Sequence, residues 1–344
     1  MMTRRLLTLV AGAALVAVLV AGCGGAGLIG ALLTLIQNGD VVAQVNDILG
    51  GDEPEQFAVL LDGQPLPVTP DDNGDLELNG LPEGGHLLQI VAPNNFRGGV
   101  ALINVEADTR VNVPAIPAVI GGRILGKVQL DNGAGGLSPA RRVLVVALPG
   151  GATLVSGAGS PVAVPPTTTY YAGYTDANGD YALNAVEVGD YLVTAAVAGY
   201  QADARLVTIP APRRPLRADL TLVRQINSPS GPATGTVRGE LLNGSVSLGN
   251  ARVTATPPQP FRPQVPQTVI DTIAAASGQT LRPSPWFAWT QLSTLSDAGG
   301  SYDIRSLPGT NRLACFAYDY KPGYRDVNFI NTALIYIDLS LRPR

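Results

Sequence analysis

The sequence predicts an all-β chain of tandem small β-sandwiches with Greek-key connections. Three observations carry this. Glycine (40) and proline (28) are abundant in the 344 residues, which suits short strands and many turns better than helices. Alternation of period two follows the turns, as in Asp180-Tyr-Ala-Leu183 and Ser301-Tyr-Asp-Ile304. One hairpin pattern occurs three times, and an internal repeat is the strongest guide to architecture.

The first element is N-terminal. Arg4-Arg5 precede about fifteen apolar residues, then Ala21-Gly22 and Cys23. Charge, apolar run and small residues in that order make a secretory signal. Val20-Ala-Gly-Cys23 resembles a bacterial lipobox, which implies acylation of the Cys23 thiol and cleavage before it. Residues 1–22 are then a signal peptide. The protein is then lipid-anchored outside the cytoplasm on a bacterial cell membrane, the outer one in a diderm cell, since Gly24 and not an aspartate follows. An uncleaved helix and a signal cut without lipidation are the other readings, although the run is short for a span of about 20 residues. Each buried methylene contributes about 0.8 kcal/mol, so several acyl chains hold a protein stably where one does not. Residues 23–49 read as a stalk or an amphipathic membrane-proximal helix.

The repeated hairpin is clearest at Thr175-Asp-Ala-Asn-Gly-Asp-Tyr-Ala-Leu183, continuing through Val186 and Gly189 to Ala195. A second copy runs from Ser296-Asp-Ala-Gly-Gly-Ser-Tyr302 through Leu307-Pro-Gly309 to Ala317. A third runs from Asp71-Asp-Asn-Gly-Asp75 through Leu81-Pro-Glu-Gly84 to Ile90. Asp-x-Asn-Gly and Asp-x-Gly-Gly are turn chemistry, because Asn and Gly accept the positive φ of tight turns. A Gly-aromatic or Asn-aromatic step follows each copy: Gly199-Tyr200, Gly323-Tyr324 and Asn95-Phe96. Gly126-Lys-Val128 and Gly235-Thr-Val237 read as matching first strands of the later units. About six or seven short strands per unit make a small sandwich.

Gly-x-Val, Ala-x(-x)-Val, Thr/Ser-Asp-x-x-Gly-x-Tyr-x-Ile/Leu, Leu-Pro-x-Gly and Gly-Tyr together resemble the carboxypeptidase regulatory-like domain. This is the transthyretin-like (prealbumin-like) β-sandwich, related to collagen-adhesin B-type repeats. The resemblance covers 119–224 and 232–344, and rests mainly on the hairpin in 50–117. It implies a fold and says little of function. Pro114-Ala-Ile-Pro117 and Asn227-Ser-Pro-Ser-Gly-Pro232 read as short, stiff joints. Three units in a row then make a semi-rigid rod on the order of 100 Å. Two insertions depart from the pattern. Residues 149–171 end in Tyr170-Tyr171, and residues 256–291 carry Trp286, Phe287 and Trp289, with a short helix expected over 268–277.

Composition narrows the chemistry. The formal charge is −4, and −6 without Arg4 and Arg5, so no nucleic acid is expected as a partner. Cys315 has no partner once Cys23 is acylated, and reads as a small buried hydrophobe. His86 is the one histidine, so multi-histidine zinc sites are excluded and any Ser-His-Asp arrangement must use it. It falls at the position of Tyr191 in the second unit and reads as a strand residue. Asp176, Asn178 and Asp180 superficially resemble a calcium loop. However, turn chemistry accounts for all three copies and calcium for two at most, so no metal or cofactor is expected. Lys127 and Asp219 lie on strands suited to an internal isopeptide bond, but the glutamate that the related repeats place nearby is absent.

Trp286, Phe287 and Trp289 are the candidate ligand-binding residues, with Tyr170 and Tyr171 as a second group. Packing of the insertions onto the sandwiches is the competing reading. The sequence therefore reads as a non-enzymatic, lipid-anchored envelope protein with a structural or adhesive role. Its partner is a glycan or a cell-envelope protein. A carbohydrate-binding surface lipoprotein that uses the aromatic insertion is the alternative.

Overall fold

The computed structural model describes residues 38–46, 53–133, 135–149, 170–225, 234–259, 261, 268, 271, 275, 291–330 and 333–344. Cys23, the signal-like segment, Trp286, Phe287, Trp289 and the 227–232 joint lie outside the described residues. Among those described, no helix is long and apolar enough to cross a membrane. Thr268, Asp271 and Ala275 are helical and exposed, at positions inside the expected short helix.

From Asn38 onward the chain forms three two-sheet sandwiches with one pairing scheme. In the first, β1 (Asn38–Asn46) pairs antiparallel with β4 (Asp75–Pro82). It also pairs parallel with β7 (Arg110–Asn112) and β8 (Ile116–Pro117). The facing sheet runs β3 (Gln64–Leu66), β2 (Ala58–Leu61), β5 (Gly84–Val91), β6 (Arg97–Val105), β9 (Val119–Ile120). In the second, β10 (Gly122–Asp131) pairs with β11 (Leu137–Pro139), β14 (Asp180–Val186), β17 (Pro215–Arg217) and β18 (Leu220–Val223). Opposite lie β13 (Tyr171–Tyr174), β12 (Leu144–Pro149), β15 (Gly189–Ala195) and β16 (Asp203–Ile209). In the third, β19 (Gly235–Asn243) pairs with β20 (Val246–Ser247), β23 (Ser301–Ser306), β27 (Leu334–Tyr336) and β28 (Leu339–Ser340). Its second sheet runs β22 (Leu292–Leu295), β21 (Arg252–Thr256), β24 (Gly309–Phe316), β26 (Gly323–Phe329). A terminal ribbon joins β25 (Tyr320–Lys321) to β29 (Arg342–Pro343).

Local chemistry explains the elements. Asp71, Asp176 and Asp297 each accept two backbone N–H groups through Oδ1: Asn73 and Asp75, Asn178 and Asp180, Gly299 and Ser301. Gly74, Gly179 and Gly300 follow at φ 82°, 80° and 80°. The strands that leave these turns alternate, with Leu76 and Leu78, Tyr181 and Leu183, or Tyr302 and Ile304 inward. Each sandwich has its own apolar core, and Phe316 of the third sandwich also packs into the first.

Several expectations need correction. Residues 38–46 are not stalk: Val41, Ala43 and Val45 point into the first core, and β1 is that sandwich's central strand. The joint at 114–117 is also absent as a linker. Ile116 and Pro117 pair with β1, and Val119–Ile120 extend the first sandwich before Gly122 opens the second. The match of first-strand glycines is shifted by four residues: Gly126 lies opposite Tyr181, and its counterpart opposite Tyr302 is Gly239, not Gly235.

The largest correction concerns the rod. Residues 38–344 form one compact unit. A fourth apolar cluster draws on all three sandwiches: Leu87 from the first, Leu144, Val146, Leu148 and Tyr170 from the second, Phe261 and Leu292 from the third. Strand β12 is buried on both faces, with Val145 and Ala147 in its own core and Leu144, Val146 and Leu148 in the junction. Burying each such side chain contributes roughly 1.5–3 kcal/mol, which a rod would forfeit.

Candidate functional site

The junction has a charged centre. The β2–β3 turn carries Asp62 and Gly63 into it. Gly63 has φ 81°, and a Cβ there would lie 2.9 Å from backbone atoms of Ala172 and Gly173 in the second sandwich, so only glycine fits. Asp62 Oδ1 accepts the Leu87 N–H at 2.8 Å, and its Oδ2 faces His86 Nδ1 at 2.8 Å. The same Oδ2 takes a short hydrogen bond from Arg252 Nη1 on β21 of the third sandwich. All three side chains are buried. Burial alone would raise the Asp62 carboxyl, but Arg252 and His86 hold it well below the usual carboxylate range. Nearby, Gln64 Nε2 donates to Asn250 O at 2.8 Å, again from first sandwich to third.

His86 stands where expected, at the strand position that Tyr191 occupies in the second sandwich: each is two residues beyond a glycine, Gly84 or Gly189, that opens the strand. Its Nε2 lies 2.8 Å from Pro82 O, so both ring nitrogens face acceptors. Asn311 fills the same position in the third sandwich and donates to Leu307 O at 2.9 Å. The histidine thus closes a hairpin turn on one side and braces Asp62 on the other. Beside it a cavity of about 120 Å³ is lined by Glu83, His86, Arg252, Cys315 and Tyr324. Burial pushes the Cys315 thiol up to about 12, in keeping with a small buried hydrophobe.

A larger cleft of about 400 Å³ opens between the second and third sandwiches. Arg141, Arg142, Arg238, Arg305, Asp297 and Asp303 line it. Arg142 Nη1 is 3.7 Å from Asp297 Oδ2, and Arg238 Nη2 donates to Asp303 Oδ2 at 2.7 Å. Arg305 lies over the Tyr200 ring at 5.7 Å. Deeper in, Tyr174 and Ser293 share a short hydroxyl hydrogen bond across the two sandwiches, and burial pushes the Tyr174 phenol up to about 12. The arrangement offers bidentate cationic donors next to carboxylate acceptors, which is binding chemistry.

The other expected residues fall as follows. Tyr170 and Tyr171 are 1% and 3% exposed, so they are core residues and not exposed stacking rings. Tyr171 packs edge-on against Tyr191 at 5.8 Å. Asp176 spends Oδ1 on the backbone of Asn178 and Asp180, which is the turn role. Among the described residues no group of three or more His, Cys, Asp or Glu could hold a metal ion. The Lys127 amine lies 3.6 Å from Asp180, whereas Asp219 takes the Lys127 backbone N–H and the Arg217 guanidinium. Sequence reasoning missed Asp62 and Arg252. They are 190 positions apart, and nothing local to either marks a partner.

No protein-family model matches the chain. No curated protein is a match to it either. Among solved structures, the Bacillus anthracis TIE protein is similar at 13% identity and a TM-score of 0.21, covering 89% of this chain. This chain spans about half, 51%, of that protein's length. A streptococcal ancillary pilin is similar at 11% identity and a TM-score of 0.23, with 90% of this chain and 100% of the pilin covered. Shaft pilin SpaA of Lactobacillus rhamnosus GG is similar at 11% identity and a TM-score of 0.23, with 64% and 97% covered. The β-sandwich assignment rests on the strand pairing described above.

Proposed function

We propose that this chain is a non-enzymatic, lipid-anchored protein of the bacterial cell envelope whose three sandwiches form one structural or adhesive binding head. The observation that carries the reading is the three-way junction. It holds surfaces from three modules in one geometry, closed by the buried Asp62–Arg252 pair and the shared apolar cluster. A fixed multi-module surface suits recognition better than a string of independent domains. The Arg4-to-Cys23 signature supplies the anchor, and His86 is occupied on both ring nitrogens inside the fold.

The test is membrane fractionation of the wild type and Cys23→Ser. The wild type is expected in the membrane fraction and the variant in the soluble one. A variant that stays fully membrane-bound overturns the lipid anchor.

A carbohydrate-binding role for the aromatic insertion is the second reading. In sequence, Trp289 lies just before Leu292, which lines the cleft between the second and third sandwiches. Glycan binding lost in Trp286→Ala/Trp289→Ala supports it, and glycan binding that survives the double change overturns it.

A further inference from the structure

We propose that the cleft between the second and third sandwiches binds an acidic saccharide, one or two sugar units long and bearing a carboxylate. The proposal rests on the preceding reading only in taking this head to be a binding module.

Charge comes first. Four guanidiniums against two carboxylates leave a surplus of two positive charges in the lining, on a chain whose formal charge is −4. A locally positive cleft on an acidic protein is where an anion is drawn. Arginine meets a carboxylate with two parallel N–H donors, a geometry lysine does not offer. Arg305, held against the face of Tyr200, keeps its N–H edge for a ligand.

Size and mixture narrow the class. About 400 Å³ lies within the usual span of small-ligand sites, roughly 300–1,000 Å³. It far exceeds what a bare inorganic anion fills, given about 30 Å³ for a water molecule. Asp297 and Asp303 stand among the arginines. They repel a simple polyanion or an acidic peptide, but accept hydrogen bonds from sugar hydroxyls. Leu130, Val143 and Leu292 add apolar surface for the C–H face of a ring.

The test is calorimetric titration of the full chain in detergent with galacturonate and digalacturonate. A neutral glucose disaccharide and a glutamate-rich peptide serve as comparators. Galacturonate is expected to bind, and to weaken as salt rises. Arg141→Gln/Arg305→Gln is expected to lower the affinity at least about tenfold. Should the glutamine variant fail to fold, Arg141→Lys/Arg305→Lys keeps the charge and removes the fork, and is still expected to bind more weakly. The proposal is overturned by absent galacturonate binding, by equal binding of the neutral sugar, by equal or tighter binding of the peptide, or by undiminished affinity in the arginine variants. None of these outcomes bears on the Cys23→Ser fractionation, so the two readings fail separately.

Discussion

Asp62 is 2% exposed, between a guanidinium from the third sandwich and an imidazole from its own. Removing one partner of a buried pair leaves a charge without compensation. Arg252→Met is therefore expected to cost about 3 kcal/mol in urea unfolding, even though His86 remains. A cost within error of zero would show that the pair does not hold the junction. The pH dependence follows from the sign of the shift. The folded-state carboxyl titrates below the ordinary value of about 3.9. Its stabilisation is therefore complete above roughly pH 4 and is lost as pH falls through the depressed folded value. Asp62→Asn should show a flatter acid limb in thermal melts between about pH 4 and 2. His86 was legible as a strand residue from its place after Pro82-Glu-Gly84. Its contact with Asp62 was not, because the aspartate lies on another hairpin.

At the scale of the element, the three Asp turns were readable residue by residue, since their hydrogen bonds are local and made by side chains within four positions. The first strands were harder. Gly239 faces Tyr302, and a Cβ there would come within 1.6 Å of Ile337 O, where the last strand crosses. Gly126 is in the same situation, 2.0 Å from Ala218 O. That crossing is a non-local contact, which is why motif spacing alone misaligned the glycines. Gly239→Ala is expected to lower stability by about 1–3 kcal/mol, read by chemical denaturation. A neutral effect would mean that the crossing strand yields freely. Strand β1 carried a visible signal in the alternation of Val41, Ala43 and Val45, but residues 23–49 as a whole read as a stalk or a membrane-proximal helix.

For the whole molecule, an extended rod and a compact head differ in size. A compact body of residues 38–344 has a radius of gyration near 19 Å, and a rod of about 100 Å has one near 30 Å. Small-angle scattering from the chain beginning at Asn38 is expected to give the smaller value, and the larger one would refute the junction. One sequence signal pointed this way: Leu144-Val-Val-Ala-Leu148 is a continuous apolar run, the pattern of a strand buried on both faces, which a sandwich exposed on one side does not need. Taken alone, the sequence determined the all-β class, the three hairpins, the repeat count and the buried character of Cys315. These depend on turn chemistry and period-two alternation, which act between near neighbours. Only the tertiary structure decided that the sandwiches share a junction, that Asp62 meets Arg252, and that arginines from two modules line one cleft. Those contacts join residues far apart in sequence, and no local pattern specifies which outer face meets which.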